Sequence, residues 1–150
     1  MSAAANPGLP VPQGKYVAAK RNGQVIYTSG MTPRREGKLL HLGPVKTSES
    51  LESYRPALEL ATGNALAAAQ ALLQPGERVT EILTLTVYIA ATADFTAHSR
   101  LADFASDFLH AELGASALGT RAAVGVATLP GGAPVEIQLV ALAGPAPSDR

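Results

Sequence analysis

Alternating hydrophobic and polar residues predict strands near the start and in the middle of the chain. Residues 16–20 and 24–29 flank Asn22-Gly23, a pair that favours the two positive φ angles of a type I′ turn. Residues 79–91 continue the alternation over a longer stretch, in which Leu83, Leu85, Val87 and Ile89 alternate with Thr84, Thr86 and Tyr88. The pattern therefore predicts a hairpin and, further along the chain, one long strand.

Two segments have the period of amphipathic helices. The first, residues 51–73, follows Ser50 as a helix-capping residue and stops at a Gln-Pro-Gly sequence. The second, residues 94–113, is closed by Gly114. The predicted buried faces consist of Tyr54, Leu58, Ala61, Ala65, Ala68 and Leu72 in the first helix, and of Leu101, Phe104, Ala105, Phe108 and Leu109 in the second.

Two further strands are predicted at residues 120–127 and 134–141, joined by a loop at residues 129–132. As a hairpin they would turn three hydrophobic pairs toward the helices, namely Val126 with Val135, Val124 with Ile137 and Ala122 with Leu139. The other face would hold Gly125 opposite Glu136, Ala123 opposite Gln138 and Arg121 opposite Val140. The element order ββ-α-β-α-ββ then predicts an α+β fold, a mixed sheet with two helices packed on one face.

The sheet face away from the helices is too apolar to lie in water, so an oligomer interface is predicted there. Arg121 and Glu136 would both lie on this face. A simple salt bridge between them is one interpretation. The space left by neighbouring glycine and alanine residues favours another, a cleft in which the guanidinium binds the carboxylate of a ligand.

Composition narrows the class of protein. The 150 residues fit one domain, and 47% of them are hydrophobic, which is enough for a packed core. The absence of cysteine excludes disulfides, thiolate metal sites and cysteine nucleophiles. Lysine plus arginine balances aspartate plus glutamate at 12 each, so no overall positive charge would attract nucleic acid. No two of the histidines have a chelating spacing, so no metal site is expected.

The ends of the chain and one internal segment have no periodic pattern. Residues 1–12 and 144–150 are predicted to be flexible tails around a single domain at residues 13–143. The chain has no signal-peptide pattern and no stretch near the ~20 apolar residues of a membrane helix, so a cytoplasmic protein without a membrane partner is expected. Residues 34–43 are polar and punctuated by glycine, which predicts an irregular or mobile excursion.

Several motifs together resemble the RidA/YjgF family, which is also labelled endoribonuclease L-PSP. They are GKYV at 14–17, IYTSG at 26–30, NAL at 64–66, DF at 94–95, TRAAVGVATLP at 120–130 and VEI at 135–137. The signature Arg-x-x-Val-x-Val-Ala-x-Leu-Pro is specific, and the resemblance covers nearly the whole chain. The excursion after Pro33 and the interval between Asp94 and Phe108 are typical of a longer branch of the family.

That resemblance implies a chorismate-mutase-like fold and a homotrimer, with a central barrel of sheets and three ligand clefts between subunits. It also implies a deaminase, a hydrolase that converts small 2-imino or 2-enamino acids such as 2-aminoacrylate to 2-keto acids and ammonia. Arg121 would bind the substrate carboxylate, Glu136 would position or activate water, and Tyr16 from the neighbouring subunit's side would shape the pocket. The other substrate-binding positions would be Ser29, Gly30, Met31 and Ala123. An imine is already electrophilic, so no metal or organic cofactor is expected.

Two departures from the family pattern leave other functions open. Ala123 stands where well-studied members have cysteine, and Met31 stands where glutamine is usual. A non-catalytic trimer that binds small carboxylates is therefore the main alternative to a deaminase. The endoribonuclease activity ascribed to some members is a third possibility, which the balanced charge disfavours.

Overall fold

The protein is described by a computed structural model that covers residues 8–147, so the expected tail segments 1–7 and 148–150 lie outside it. Its strands are β1 (Ala19–Asn22), β2 (Val25–Thr28), β3 (Arg34–Arg35), β4 (Lys38–Leu39), β5 (Glu77–Ala90), β6 (Thr120–Val126) and β7 (Val135–Pro145). Its two long helices are α1 (Arg55–Gln70) and α2 (His98–Leu113). The mixed α+β fold class and the element order agree with the prediction. The last strand extends two residues into the segment expected as the carboxyl-terminal tail.

The first hairpin turns one residue later than predicted. Asn22 pairs with Val25, so the loop is Gly23-Gln24 rather than Asn22-Gly23. Gly23 has a φ of 63°, but Asn22 lies in the strand, which excludes the predicted type I′ pair. This register turns Ile26 toward the helices, where its side chain is fully buried. Burial of that residue outweighs the local preference of the Asn-Gly pair.

The excursion at residues 34–43 is not irregular throughout, because it contains the antiparallel hairpin β3–β4. Glu36 and Gly37 at its turn have φ angles of 54° and 80°. The Asn64 side chain of α1 donates hydrogen bonds from Nδ2 to the carbonyls of Thr32 (3.2 Å) and Arg34 (2.8 Å). Strands of two residues are too short to show alternation, so sequence pattern could not reveal this hairpin.

Both helices end near their predicted positions. The Ser50 hydroxyl accepts a hydrogen bond from the Ser53 amide (3.3 Å) and caps a short 3-10 helix, Leu51–Tyr54, that leads into α1. α2 starts four residues later than predicted because the Asp94 carboxylate accepts hydrogen bonds from Thr47 (2.9 Å) and Thr92 (2.7 Å) in the preceding loop. Those bonds hold the pKa of Asp94 below its usual range. No helix among residues 8–147 is long and apolar enough to cross a membrane.

The strands of the main sheet lie in the order β1-β2-β7-β5-β6. The predicted hairpin between β6 and β7 is therefore wrong, since β5 lies between them. β5 pairs antiparallel with β7 and parallel with β6, and α2 forms the connection from β5 to β6. A helical crossover of this kind returns the chain parallel to the strand it left, which places β6 beside β5 at the edge of the sheet.

This order corrects the predicted faces of β6. Val135, Ile137 and Leu139 of β7 are buried under the helices, as expected. On β6, however, Arg121, Ala123 and Gly125 align with Leu85, Val87 and Ile89, the β5 residues on the helix-covered side. Ala122, Val124 and Val126 take the open face instead, where Val124 is 40% exposed. The predicted inward face of β6 is therefore wrong, because its hydrophobic residues lie on the open face.

An ion pair joins the first hairpin to the start of β5. The guanidinium of Arg21 donates to both carboxylate oxygens of Glu77, at 2.6 and 2.8 Å, and also to the Leu72 carbonyl at 3.1 Å. Glu77 accepts a further bond from the Gln74 amide at 2.7 Å. The hydrogen bonds from Arg21 and Gln74 lower the pKa of Glu77 from 4.5 to about 2. The pair thus fastens β1 to the turn between α1 and β5.

We expect Glu77→Gln to lower the urea midpoint at pH 7, because it removes a bidentate ion pair that the unfolded chain lacks. A lowered folded-state pKa contributes stability above the unfolded value, and this is lost as the pH falls from 4.5 toward 2. The difference between variant and parent should therefore shrink over that range. Glu59→Gln is the matched control, since Glu59 lies 3.8 Å from Arg55 on an exposed helix surface. An equal drop in the urea midpoint for Glu77→Gln and Glu59→Gln would contradict a stabilising role of the Arg21–Glu77 ion pair.

Candidate functional site

A cavity of about 320 Å³ lies between α1, the segment before β1, the β3–β4 hairpin and the start of β7. Its walls include Tyr16, Gly30, Met31, Arg34, Asn64 and Glu136. Three expected site residues, Tyr16, Gly30 and Met31, therefore surround the fourth, Glu136, within one chain. We refer to this space as the Glu136 cavity.

Glu136 is the partly buried acidic residue of this cavity, whereas Glu36, the other acidic residue of the wall, is exposed at the turn between β3 and β4. Glu136 aligns with Tyr88 on the sheet face away from the helices, and it forms no ion pair with any described residue. Burial raises the pKa of its carboxyl above 4.5, since no positive charge nearby favours the ionised form. A carboxylate whose pKa is raised is a better proton acceptor than an ordinary one, which suits it to accept and return a proton.

Gly30 makes room for this carboxylate. A β-carbon at position 30 would lie 2.7 Å from Cδ and 3.0 Å from Cγ of Glu136, closer than side chains pack. Met31, the next residue, is 7% exposed and exchanges two backbone hydrogen bonds with Ile137, at 2.7 and 2.8 Å. This bridge fixes the chain after β2 against β7, so that Gly30 lies directly against the side chain of Glu136.

Tyr16 and Ser29 belong to the wall before β1. The hydroxyl of Tyr16 accepts a hydrogen bond from the Gln13 amide (3.2 Å), and its ring lines the cavity. Ser29 donates its hydroxyl to the Val17 carbonyl (2.7 Å), and its amide bonds to the Ala18 carbonyl (2.9 Å). The side chain of Ser29 thus holds the segment that carries Tyr16, and it is not part of the cavity wall.

Arg121 lies elsewhere, with its guanidinium bound by α2. Nη1 donates to Asp103 (2.8 Å) and to the Ser106 hydroxyl (3.0 Å), while Nη2 donates to the Ser99 carbonyl (3.2 Å) and hydroxyl (2.9 Å). Its ion-pair partner is Asp103, so the salt bridge to Glu136 considered from the sequence does not form within the chain. With Ala123 and Gly125, Arg121 lines a shallow groove along the β6 edge.

The two halves of the expected site are therefore separate in one protomer. Arg121 lies on the helix-covered side of β6, whereas Glu136 lies on the open side of β7, and β5 runs between them. No described cavity contains both residues. A cleft that holds Arg121 and Glu136 together can form only between two copies of the chain.

His98 is a residue of the Arg121 groove that the sequence did not single out for this role. Its ring packs edge-on against Phe95 with centroids 5.0 Å apart, and its Nε2 would be 2.7 Å from a β-carbon at position 125. Its position at the start of α2, facing β6, depends on the crossover and so could not be inferred from spacing. Among residues 8–147, no cluster of three or more acidic or histidine side chains could hold a metal ion.

Comparisons with known proteins cover nearly the full length of the chain. Residues 8–143 match the family described as endoribonuclease L-PSP. Protein TCP17 of Trypanosoma cruzi is 29% identical over 132 residues, which are 87% of this chain and 82% of TCP17. Atu1372 of Agrobacterium tumefaciens, a protein of unknown function, has a TM-score of 0.79 at 30% identity and covers 89% of this chain and 83% of its own. The YjgF gene product of E. coli shares the fold, with a TM-score of 0.66 at 21% identity over 95% and 98% of the two chains.

We expect Glu136→Gln to leave the protein at least as stable as the parent at pH 7. A raised pKa means that the ionised carboxyl destabilises the fold above the folded-state pKa, and that this penalty disappears once the pH falls below 4.5. Urea unfolding at pH 7 and pH 3.5 should show a gain from the substitution that is confined to the higher pH. A loss of stability at pH 7 would mean that the carboxylate has a cationic partner in solution.

Proposed function

Because the chain belongs to the endoribonuclease L-PSP family, which includes the RidA/YjgF proteins, we propose that it hydrolyses small 2-imino and 2-enamino acids to 2-keto acids and ammonia. The observation that carries this proposal is the Glu136 carboxyl, which has a raised pKa and no cationic partner in a cavity it shares with Tyr16. Family membership is equally consistent with a protein that only binds small molecules. The chemistry of the two half-sites favours the enzyme.

The open face of the sheet supports a homotrimer in which these half-sites meet. Tyr27 is 51% exposed on this face and aligns with Val140 of β7. Val124 lies on the same face beside Tyr88, which in turn aligns with Glu136. Exposed aromatic and β-branched residues on one face indicate a surface that another copy covers. In the proposed assembly three such faces form a central barrel, and Arg121 of one copy faces the Glu136 cavity of the next.

Arg121 would bind the substrate carboxylate in this shared cleft. Its Asp103 partner has a side chain that is 59% exposed, so a ligand carboxylate can join or replace it at little cost. The hydroxyls of Ser99 and Ser106 hold the guanidinium in one orientation while this happens. A planar guanidinium that is fixed in this way is suited to paired hydrogen bonds with a carboxylate.

Glu136 would activate the attacking water. With the carboxylate of the imino acid fixed, the carboxyl of Glu136 accepts a proton from water as the oxygen bonds to the imine carbon. The nitrogen of the resulting adduct takes up this proton from Glu136. The hydroxyl proton then passes through Glu136 to the nitrogen as the C–N bond breaks, which releases ammonia and leaves the 2-keto acid. One water is consumed for each ammonia released, so the step is balanced without a cofactor. A 2-enamino acid enters the same route after protonation at its carbon.

A carboxylate-binding protein without catalysis is the second candidate, and two observations favour it. Ala123 supplies no polar group to the Arg121 groove, and both terminal nitrogens of Arg121 already donate two hydrogen bonds each within the chain. The two functions differ in what Glu136 does, because a binding protein needs no proton acceptor. RNA cleavage has no such support, since the equal numbers of basic and acidic residues give the protein no excess positive charge to bind a phosphate backbone.

Ammonia release from freshly generated 2-aminoacrylate and from larger 2-imino acids separates these functions. We expect turnover by the parent, at least a 100-fold loss in Glu136→Gln with 2-keto acid binding retained, and loss of both in Arg121→Ala, by the usual size of general acid–base effects. Glu59→Gln, on the exposed surface of α1, is the matched control and should keep full activity. If neither the parent nor Glu136→Gln releases ammonia while both still bind 2-keto acids, the protein would be a carboxylate-binding protein without catalysis.

Mixing the two inactive variants tests whether the site is shared between subunits. In a trimer refolded from equal amounts of Arg121→Ala and Glu136→Gln chains, each cleft draws Arg121 from one copy and Glu136 from another. About one quarter of the clefts would then contain both intact residues, so about a quarter of the parent activity should return. No recovery in mixed trimers, verified by mass spectrometry, would place both residues of each site in one chain and contradict the proposed assembly.

A further inference from the structure

The Glu136 cavity is larger than the proposed reaction needs. A cavity of about 320 Å³ is in the range that holds ligands of drug-like size, whereas 2-aminoacrylate has only six non-hydrogen atoms. The β3–β4 hairpin forms one wall of the cavity through Arg34 and the residues that follow it. The excess space therefore lies beside a segment whose side chains can select among substrates.

Arg34 is a half-buried cation in that wall without a counter-charge. Its Nε is shielded from solvent and has no hydrogen-bond acceptor, and its Nη1 donates to the Gly37 carbonyl at 3.2 Å. It forms no ion pair with any carboxylate among residues 8–147. A guanidinium nitrogen that is shielded from solvent and has no acceptor is costly, and such a group is typical of a site that a ligand completes.

The position of Arg34 is fixed by its neighbours. Asn64 of α1 donates to the Arg34 carbonyl at 2.8 Å, which fastens the start of the hairpin to the helix. The far end of the side chain lies against Gly131, where a β-carbon would be 2.9 Å from Nη2. The backbone of Arg34 is thus held by α1, and its guanidinium lies close to Gly131.

Arg34 and Glu136 both line this cavity, and no ion pair joins them. The two side chains therefore border the same space without neutralising each other. A ligand bound with its reacting carbon at Glu136 has the guanidinium of Arg34 in the wall of the same cavity.

We propose that Arg34 binds a second acidic group at the far end of the substrate, so that the preferred substrates are 2-imino acids with a carboxylate side chain. The proposal rests on the deaminase function above, because it assigns the cavity to the side chain of that substrate. Arg121 of the adjoining copy would bind the α-carboxylate and Arg34 the distal one. The distal carboxylate then sets the preference, since a monoacid offers Arg34 no acidic group.

Calorimetric titration with product-like 2-keto acids tests this preference without requiring turnover. The probes are 2-oxoglutarate, which has the distal carboxylate, and 2-oxobutanoate, which lacks it. We expect the intact protein to bind 2-oxoglutarate at least about tenfold more tightly, the usual scale of one charge-assisted hydrogen-bonded pair. Arg34→Gln should bring the two affinities to within about twofold of each other, and Arg34→Lys should retain part of the difference.

Lys38→Gln is the matched control, because it removes one positive charge from the exposed part of the same hairpin and should leave the preference unchanged. Equal binding of both keto acids by the intact protein, or no binding of either, would overturn the role of Arg34 even if Arg34→Gln fails to fold. If Lys38→Gln weakens the preference for 2-oxoglutarate as much as Arg34→Gln does, the preference would come from the overall positive charge of the hairpin and not from Arg34. Absence of imine turnover with an Arg34-dependent preference would instead refute the deaminase and leave the diacid site standing.

Discussion

The parallel pairing of β6 with β5 is the constraint on which the rest of the structure depends. It aligns Arg121 with Leu85 and turns it toward α2, whereas Glu136, which β7 aligns with Tyr88, takes the open face. Since side chains alternate between the faces of a strand, a shift of β6 by one residue against β5 would turn Arg121 to the open face and leave Glu136 unchanged. The same pairing places β6 at the edge of the sheet, where the Arg121 groove is accessible to another copy of the chain.

The charged side chains of the candidate site differ in how many hydrogen-bond and ion-pair partners they have. The guanidinium of Arg121 donates hydrogen bonds to three side chains of α2, which fix its orientation. Arg34 and Glu136 border one cavity without an ion-pair partner in the described chain, and neither neutralises the other. Unpaired charges that are partly buried lower stability, and a ligand that pairs with them would offset this cost. The proposed substrate, with an acidic group at each end and an electrophilic carbon, would complement this arrangement.

In the proposed function, activity is tied to assembly. A single chain holds the carboxyl of Glu136 in one cavity and the guanidinium of Arg121 in a separate groove, with a strand between them. The apolar open face supplies a physical reason for copies to associate, and association in the proposed trimer is what would bring the two half-sites together. Stability and catalysis would then depend on the same interface, so residues on that face are constrained by both.

The sequence by itself determined the helices, their end signals at Ser50 and Gly114, the buried face of β7 and the family, because these depend on local periodicity and short motifs. Only the tertiary structure decided which strand lies beside β6 and which way Arg121 points. Alternation with a period of two defines two faces but identifies neither the covered one nor the neighbouring strand. The unpaired state of Arg34 was equally beyond the sequence, because it depends on Asn64 and Gly131, residues distant along the chain that meet only in the fold.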